Sequence, residues 1–581
     1  MMTGEVGSSI PEDTPHAVSV SLPTWKANVA YEEGEAWVFD KMQTGYPRFF
    51  IHKSIQKLSS SILASHGRPG EDCMLFPSAH IAHRCNRFLK QHTATLTPPS
   101  VRIVEFTPRV TGATRTTIIS GLSAVFFPAP DFKVAKQFWQ HSGDGVSSRR
   151  AEFCQQELEE GVLVEKGLPD ELSQRPAKGP KRYSKVAADK GAGGRISPTE
   201  DTSRFVEERF GRNLGVEFVA NAKLAVRRRI AGTLRSNVAL SDAIALSREG
   251  GRDVDGFTEE DVYLFPTGMS AIFNSHQLLM ETIEPRKSVC YGFPYIDTLK
   301  ILQKFGPGCH FYGHGSSEDL DDLESKLQSG ERVLALFCEF PGNPLLMSPD
   351  LQRIRKLADT YDFAVVIDET VGNPLNVHVL PFADIVASSL TKVFSGDSNV
   401  MGGSLVLNPK GPYYARLKKS LDATYEDNFW GEDALFLERN SRDFVSRIER
   451  ININAEAVST LLVNHPKIKR VYYPKFSPTR SFYDACRCPD GGYGGLLSVT
   501  FFSMEDAVRF FDVIDTAKGP SLGTNFTLTS PYTILAHYGE LEWAAQYGVE
   551  ANLVRVSVGL EDTEALVGIF GGALEALVAV V

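Results

Sequence analysis

A strand–helix–strand pattern is clearest in RVLALFCEFPGNPLLMSPDLQRIRKLADTYDFAVVIDET (residues 332–370). The stretch opens with the short apolar run RVLALFCEF (332–340) and closes with another, FAVVIDET (363–370). Between them, LQRIRKLADTYD repeats its apolar residues at the spacing of a helix. A third apolar run, ADIVASSL (383–390), follows. This alternation predicts an α/β domain whose sheet is mostly parallel, with helices packed on its faces.

The composition is that of a large globular protein. The chain has 581 residues, of which 42% are hydrophobic and 23% charged, enough for two or three domains. A formal net charge of −10 and short basic runs that lie beside acidic residues argue against a nucleic-acid partner. Eight cysteines are too few for a disulfide scaffold, and their spacing predicts no metal centre.

Neither end of the chain has the pattern of a membrane or secretion signal. The N-terminus lacks the basic region and apolar core of a secretory signal. The apolar stretch 566–581 contains Glu575 and is shorter than a membrane span, which predicts a buried helix. We therefore expect a cytoplasmic protein without a membrane partner.

Changes in composition along the chain predict its domains. Residues 1–20 are polar and are expected to be a mobile N-terminus. Residues 21–165 form an N-terminal extension region, and 166–202, rich in Gly, Pro, Lys and Ser, form a linker. Residues 203–414 form the large α/β domain, and 415–581 a smaller α+β domain.

One stretch of the N-terminal region is similar to a later one. GYPRFFIHKSIQKLSSSI…CMLFPSAHIAHRC (45–85) parallels RFGRNLGVEFVANAKLAV…VYLFPTGMSAIFN (209–274). Each contains an aromatic residue two positions before an arginine, a helical stretch, and LFP followed by a small polar residue. A decayed partial duplication and chance both explain the similarity.

The stretch SSLTKVFSG (388–396) places a single lysine, Lys392, directly after a strand-like run. Lone lysines are usually exposed, and one at the end of a buried strand is costly unless it is neutral, paired or covalently used. In a parallel sheet, however, ligands bind at the carboxyl ends of the strands. Asp368 ends the preceding strand, so the two side chains are expected at one edge of the sheet.

Two further features indicate which ligand binds there. The hydroxyls of Ser389 and Thr391, with the backbone of TGMSA (267–271) opening a helix, suit a phosphate. Tyr295, in GFPYIDT, can stack on a flat ring. A lysine for a Schiff base, an acid for a pyridinium nitrogen and a helix N-terminus for a phosphate together predict a site for pyridoxal 5′-phosphate (PLP).

From about 203 to 565 the chain resembles the cystathionine γ-synthase family of Cys/Met-metabolism PLP-dependent enzymes, and its fungal branch in particular. The resemblance rests, in order, on PTGMSAIF, YGFPYIDT, EFPGNPLL, VVIDETVGNP, SSLTKVFSGDSNVMGG, PSLGTNFTL and VRVSVGLED. It implies a PLP-dependent aminotransferase-like fold (fold type I), with a large PLP-binding domain, a smaller C-terminal α+β domain and an N-terminal extension.

The resemblance also implies the site residues. Lys392 would hold PLP as a Schiff base and shuttle protons, Asp368 would keep the pyridine nitrogen protonated, and Tyr295 would stack on the ring. The phosphate contacts would come from Gly268, Met269, Ser389 and Thr391. Asn343 would hydrogen-bond the ring hydroxyl, and Arg555, with Ser521 beside it, would bind the substrate's α-carboxylate.

Three positions depart from the family pattern. Glu369 stands where the family usually has Asn, and Asp397-Ser398-Asn399 replaces the usual His-Ser-Asp after the lysine. The Tyr-x-Arg that the family donates to the neighbouring subunit's phosphate is Phe210-Gly-Arg212 here, without a phenolic hydroxyl.

Two segments are candidates for that phosphate contact. We expect Arg212 to supply it, with Tyr46 and Arg48 as the alternative, because Tyr46-Pro-Arg48 keeps the tyrosine. A clamp shared between subunits implies a homodimer or homotetramer.

The implied reaction is a PLP-dependent γ-replacement on O-acyl-L-homoserine, with cysteine as the first choice of nucleophile and cystathionine as product. A carbon or other nucleophile, giving an unusual amino acid of a natural-product pathway, is the alternative. The same cofactor site also serves γ-elimination. A non-catalytic homologue that binds a partner is the third possibility.

Overall fold

The structure is a computed structural model that describes residues 4–47, 49–93, 101–109, 120–167, 216–246 and 251–578. Most of the expected linker lies outside these residues, and so do Arg48, Phe210 and Arg212.

The N-terminal region has a segment with two short helices, followed by a domain with a four-stranded antiparallel sheet of order β1-β3-β2-β4. Its helices are α1 (Trp25–Glu32), α2 (Ala36–Phe39), α3 (Lys53–His66), α4 (Ala79–His92), α5 (Phe132–Ser142) and α6 (Ser148–Glu159). Its strands are β1 (Glu71–Phe76), β2 (Arg102–Pro108), β3 (Leu122–Pro128) and β4 (Leu163–Glu165).

The N-terminal domain shares a hydrophobic core with the large domain. Strand β3 is buried on both faces, and its side chains alternate between them. Ala124 and Phe126 face one core with α3, whereas Val125 and Phe127 join α4 and α5 in a second core. That second core continues into the sheet and helices of the large domain. The N-terminal domain is therefore packed firmly against the large domain.

The large domain has a seven-stranded sheet of order β5-β11-β10-β9-β8-β6-β7, in which only β11 runs antiparallel to its neighbours. Its strands are β5 (Val262–Phe265), β6 (Ser288–Tyr291), β7 (Cys309–Tyr312), β8 (Ala335–Glu339), β9 (Ala364–Asp368), β10 (Ile385–Ser389) and β11 (Gly403–Leu407). Its helices are α7 (Val216–Ala231), α8 (Leu240–Ala245), α9 (Gly268–Thr282), α10 (Ile296–Lys304), α11 (Ser317–Gln328), α12 (Leu351–Tyr361) and α13 (Tyr414–Thr424). The predicted β–α–β unit is β8–α12–β9, and the mostly parallel sheet is confirmed.

The C-terminal domain has a five-stranded sheet of order β12-β13-β16-β15-β14. Its strands are β12 (Ile468–Tyr472), β13 (Leu496–Phe501), β14 (Ala517–Lys518), β15 (Leu528–Ser530) and β16 (Val554–Ser557). Its helices are α14 (Gly431–Asn440), α15 (Phe444–Val463), α16 (Arg480–Cys486), α17 (Met504–Val513), α18 (Tyr532–His537), α19 (Leu541–Gln546) and α20 (Thr563–Val578). Helix α20, the apolar C-terminal stretch, is packed through Leu566, Phe570 and Leu574. Among the described residues, no helix combines the length and apolarity needed to cross a membrane.

The N-terminus differs from its expected mobility, because residues 4–22 pack against both the large domain and the C-terminal domain. The Val18 N–H donates to the Ser398 carbonyl (2.8 Å) and the Leu22 N–H to the Lys518 carbonyl (2.9 Å). Val20 is fully buried, and its carbonyl oxygen approaches Gly519 so closely that no Cβ fits there. The segment is polar on average, but its few apolar residues dock beside strand β14.

The two similar stretches fold into the same order of elements. In the first, α3 is followed by β1 and by α4, whose N-cap is Ser78. In the second, α7 is followed, after the short α8, by β5 and by α9, whose N-cap is Thr267. The common order is compatible with a decayed duplication, although helix–strand–helix order is also common in α/β proteins.

Candidate active site

A cavity of about 210 Å³ lies between the carboxyl edge of the large sheet, the C-terminal domain and the N-terminal region. The predicted site residues that line it are Gly268, Met269, Tyr295, Asn343, Asp368, Ser389, Thr391, Lys392, Ser521 and Arg555. The predicted residue that is missing from this set, Arg212, lies outside the described residues. The fold thus brings together side chains from three separate regions of the chain.

Lys392 is buried at the end of β10 and points into the cavity. Its Nζ donates to the hydroxyl of Tyr46 (3.0 Å) and to the hydroxyl of Ser521 (3.0 Å), and lies 4.6 Å from the centre of the Tyr46 ring. The lysine is therefore not the exposed side chain that a lone lysine usually is, because its amine is held between two hydroxyls.

Asp368 and Glu339 end two adjacent parallel strands, β9 and β8, where they are register partners. Burial raises the pKa of Asp368, although the Thr370 N–H donates to its carboxylate (2.8 Å). Burial, together with the charge of Asp368, raises the pKa of Glu339 to about 8. A buried carboxylate of this kind needs a counter-charge, which a protonated ring nitrogen supplies.

Glu339 was missed as a site residue at the level of sequence. Its carboxylate accepts the backbone N–H of Tyr295 and that of Asn343 (2.9 Å), so it positions two residues of the predicted site. The signal was present: RVLALFCEF places an acid at the carboxyl end of its strand, as AVVID does with Asp368.

The N-terminus of α9 is shaped to receive an anion. Thr267 caps the helix by accepting the Ser270 N–H (3.0 Å), which leaves the amides of Gly268 and Met269 in the first turn facing the cavity. A Cβ at Gly268 would lie 2.5 Å from Cβ of Ser389, so only glycine permits this approach. The neighbouring Thr391 hydroxyl is bonded instead to the backbone of Gly402, from which it accepts an N–H (3.1 Å).

Arg555 lies at the other side of the cavity and is buried. Its guanidinium donates to Asn343 Oδ1 (3.0 Å) and to the Ser521 carbonyl (2.5 Å), and stacks over the Tyr532 ring at 4.6 Å. Burial lowers its pKa. Among the described residues no ion pair to a carboxylate holds this guanidinium, so it is available for a carboxylate ligand.

The residues that depart from the family pattern form hydrogen bonds or ion pairs with other residues of this chain. Glu369 forms a buried bidentate ion pair with Arg252 (2.6 and 3.1 Å). Asp397 accepts from Nδ2 of Asn525 (2.6 Å), and the Ser398 carbonyl receives the N-terminal segment, as described above. These substitutions therefore fit this chain's own packing.

The residues present fit PLP. The amide-lined turn of α9 with Ser389 suits the phosphate, the buried Asp368 suits a protonated pyridine nitrogen, and Tyr295 lines the cavity where a ring would lie. Of these residues, only Lys392 has an amine, the group that forms a covalent bond to an aldehyde.

Comparisons with known proteins show which family this chain resembles along its whole length. Residues 256–575 match the family described as Cys/Met metabolism PLP-dependent enzyme, and residues 54–147 match the fungal trans-sulfuration enzyme N-terminal domain. The chain is 52% identical to a cystathionine gamma-synthase of Neurospora crassa over 98% of both chains. It is 44% identical to a cystathionine gamma-synthase-like enzyme, iboG2, of Amanita muscaria, over 98% of this chain and 96% of that one.

The fold is similar to that of a solved bacterial enzyme. The cystathionine gamma synthase of Xanthomonas oryzae, solved in complex with cystathionine, superposes with a TM-score of 0.50 at 22% identity. The match covers 99% of the bacterial chain but 62% of this one. The fold expectation is therefore confirmed.

Proposed function

Because this chain belongs to the Cys/Met metabolism PLP-dependent enzyme family, we propose that it catalyses a γ-replacement on O-acyl-L-homoserine. The nucleophile is the thiol of L-cysteine, and the product is cystathionine. The observation that carries the proposal is one cavity that holds the Lys392 amine, the Asp368 carboxyl and the Arg555 guanidinium. Support for the nucleophile comes from the relative at 52% identity, which bears the name of this reaction. The presence of Lys392, Asp368, Asn343 and Arg555 in one cavity argues against the non-catalytic interpretation.

PLP, when bound, supplies an electron sink for the charge left when a proton leaves the α-carbon of the substrate. Lys392 would hold the cofactor covalently through Nζ. Asp368 would keep the ring nitrogen protonated, and Tyr295 would stack on the ring. The amides of Gly268 and Met269 would bind the phosphate at the positive end of α9.

Arg555 orients the amino-acid substrate. Its guanidinium binds the α-carboxylate, because Asn343 and the Ser521 carbonyl fix its plane while both partners are neutral. The substrate's amino group is thereby directed towards Lys392, whose amine is on the same cavity wall as Ser521.

Lys392 transfers protons to and from the substrate. The substrate's amino group would first displace the Lys392 amine. The freed amine removes the proton from Cα, and a second proton then leaves Cβ as the Cγ–O bond breaks and the acyl group departs as a carboxylate. The cysteine thiol loses its proton, its sulfur bonds to Cγ, and protons return to Cβ and Cα. The balance is O-acylhomoserine plus cysteine giving cystathionine plus the carboxylic acid. A positioned acid–base group of this kind contributes roughly 10²–10⁴-fold.

Product mass spectrometry tests the proposal. Purified enzyme with PLP receives O-acetyl- or O-succinyl-homoserine, each paired with cysteine, sulfide or a β-keto acid, and Lys392→Ala serves as the inactive control. Cystathionine as the fastest product is expected. A homocysteine or carbon-linked product formed while cysteine is ignored contradicts the choice of nucleophile.

A carbon nucleophile is the second candidate, favoured by the apolar wall of the cavity. The N-terminal region contributes Phe49, Phe50, Ile55, Trp139 and Val146 to the lining. Such a wall suits a nucleophile that carries an apolar carbon chain beside its acid group. The β-keto acid arm of the same experiment distinguishes the two candidates.

A further inference from the structure

We propose that each chain supplies a tyrosine hydroxyl to its own active site, because its N-terminal segment (residues 4–47) brings the Tyr46 hydroxyl to Lys392 of the same chain. The resemblance implies a tyrosine from the neighbouring subunit at this place. Of the two segments that could match it, one has Phe210, which carries no hydroxyl, and the other has Tyr46. Tyr46 provides the missing group from within the chain.

The N-terminal segment is fastened to the walls of the site. The Val18 N–H donates to Ser398 in the loop after Lys392, and the Ser19 hydroxyl donates to the Pro520 carbonyl (2.5 Å), next to Ser521. These bonds place the segment against the loop that follows Lys392 and against the loop that carries Ser521.

Tyr46 itself lies between two anchors of the same chain. On its N-terminal side, the Thr44 hydroxyl donates to the Ala17 carbonyl (2.7 Å). On its C-terminal side, Nζ of Lys136 donates to the Phe49 carbonyl (2.9 Å). Lys136 belongs to α5, which shares its hydrophobic core with the large domain. With anchors on both sides, the short connection holds Tyr46 at the cavity of its own chain.

The hydroxyl has a direct role at the reacting nitrogen. When the Lys392 amine takes the Cα proton, it becomes an ammonium group that donates to the Tyr46 and Ser521 oxygens, both at 3.0 Å. These two acceptors hold the amine in one orientation between its two proton transfers. This role rests on the proposed function, whereas the placement of the segment does not.

A disulfide tests the placement without any measurement of activity. Val18 and Ser398 are both buried, and the hydrogen bond between their backbones brings the two residues within reach of a disulfide. In the double variant Val18→Cys/Ser398→Cys, mild oxidation is expected to join the two positions within one chain of 64.0 kDa. Non-reducing electrophoresis and peptide mass mapping read the link, and each single variant is the control. A band of two joined chains, or no link, overturns the proposal.

Mixed oligomers test the role of the hydroxyl. Tyr46→Phe and Lys392→Ala chains with different tags are produced together, and complexes that carry both tags are purified. If Tyr46 acts within its own chain, every site of the hybrid lacks either the tyrosine hydroxyl or the lysine amine. The hybrid is then no more active than the Tyr46→Phe enzyme. We expect the Tyr46→Phe enzyme to be about 10²-fold slower than wild type.

If Tyr46 acts across the interface, one site in each hybrid pair regains both groups, and activity returns towards that of the wild type, which overturns the proposal. An active wild type that forms no mixed complexes supports it. Wild-type enzyme that converts no O-acylhomoserine contradicts the proposed function instead, and the disulfide result still decides the placement.

Discussion

Two strand–helix corners of this molecule have nearly the same local sequence, but only one belongs to the active site. The N-terminal corner is β1, Ser78 and α4, and the site corner is β5, Thr267 and α9. Both contain LFP and a hydroxyl cap on the following helix.

The two corners differ in what lies opposite the helix N-terminus. At the N-terminal corner the cap hydroxyl of Ser78 donates to the Glu426 carboxylate (2.5 Å), so the chain's own acid lies at the positive end of the helix. At the site corner Gly268 lies against Ser389, and the turn opens into the cavity. A helix N-terminus therefore binds a ligand only where its neighbours leave it open.

The largest expected effect concerns the acid at the sheet edge beside the site corner. Asp368→Ala is expected to retain PLP, because Lys392 still binds it, but to lose roughly 10²–10⁴-fold in kcat. Absorbance of the bound cofactor and steady-state rates measure the two properties separately. Asp72→Ala, on β1 of the N-terminal corner, is the matched control. Normal turnover in Asp368→Ala removes this residue from the mechanism.

Exchanging the first helical residues of the two corners tests the phosphate turn. Gly268→Ala places a Cβ 2.5 Å from Cβ of Ser389. Overpacking of about 1–3 kcal/mol then weakens PLP binding roughly 10–10²-fold. Ala79→Gly loses about 1 kcal/mol or less of helix stability and leaves PLP binding unchanged. Titration of both variants with PLP measures this, and equal PLP affinities contradict the comparison.

The site corner also has a titratable neighbour in Glu339. Its pKa in the folded protein is about 8, above the ordinary 4.5, so between these values the folded protein keeps a proton that the unfolded chain has lost. The contribution of this carboxyl group to the free energy of unfolding is complete below about pH 4.5 and is lost as the pH rises through 8. Between these values the free energy of unfolding falls by up to about 1.4 kcal/mol per pH unit.

Thermal unfolding of cofactor-free protein between pH 5 and 8 measures this dependence. The Tm of the wild type is expected to fall more steeply with rising pH than that of Glu339→Gln, which cannot ionise. Parallel pH profiles for the two proteins show that another group is responsible.

The smallest expected effect is the loss of either helix cap. Thr267→Ala and Ser78→Ala each remove one side-chain bond to the helix and are expected to cost about 1 kcal/mol. The two variants therefore lower Tm similarly, but only Thr267→Ala weakens PLP binding. A Ser78→Ala protein with weakened PLP binding contradicts the separation of the two corners.

Much of the fold and site follows from patterns that are local in sequence. The apolar runs that became β8, β9 and β10 have the length and bounds of strands, and a sheet of this type places Asp368 and Lys392 at one edge. Glu339 was overlooked because its role depends on which backbone N–H groups approach it, and these belong to other loops.

Sequence alone determined the β–α–β order, the N-caps and the residue types that suit PLP, because these depend on neighbouring residues along the chain. Only the tertiary structure decided that the polar N-terminus packs along β14 and that Tyr46 meets Lys392, 346 residues away. It also decided which of two similar helix N-termini faces an acid and which faces the cavity. Such contacts depend on long-range packing, and no local periodicity records them.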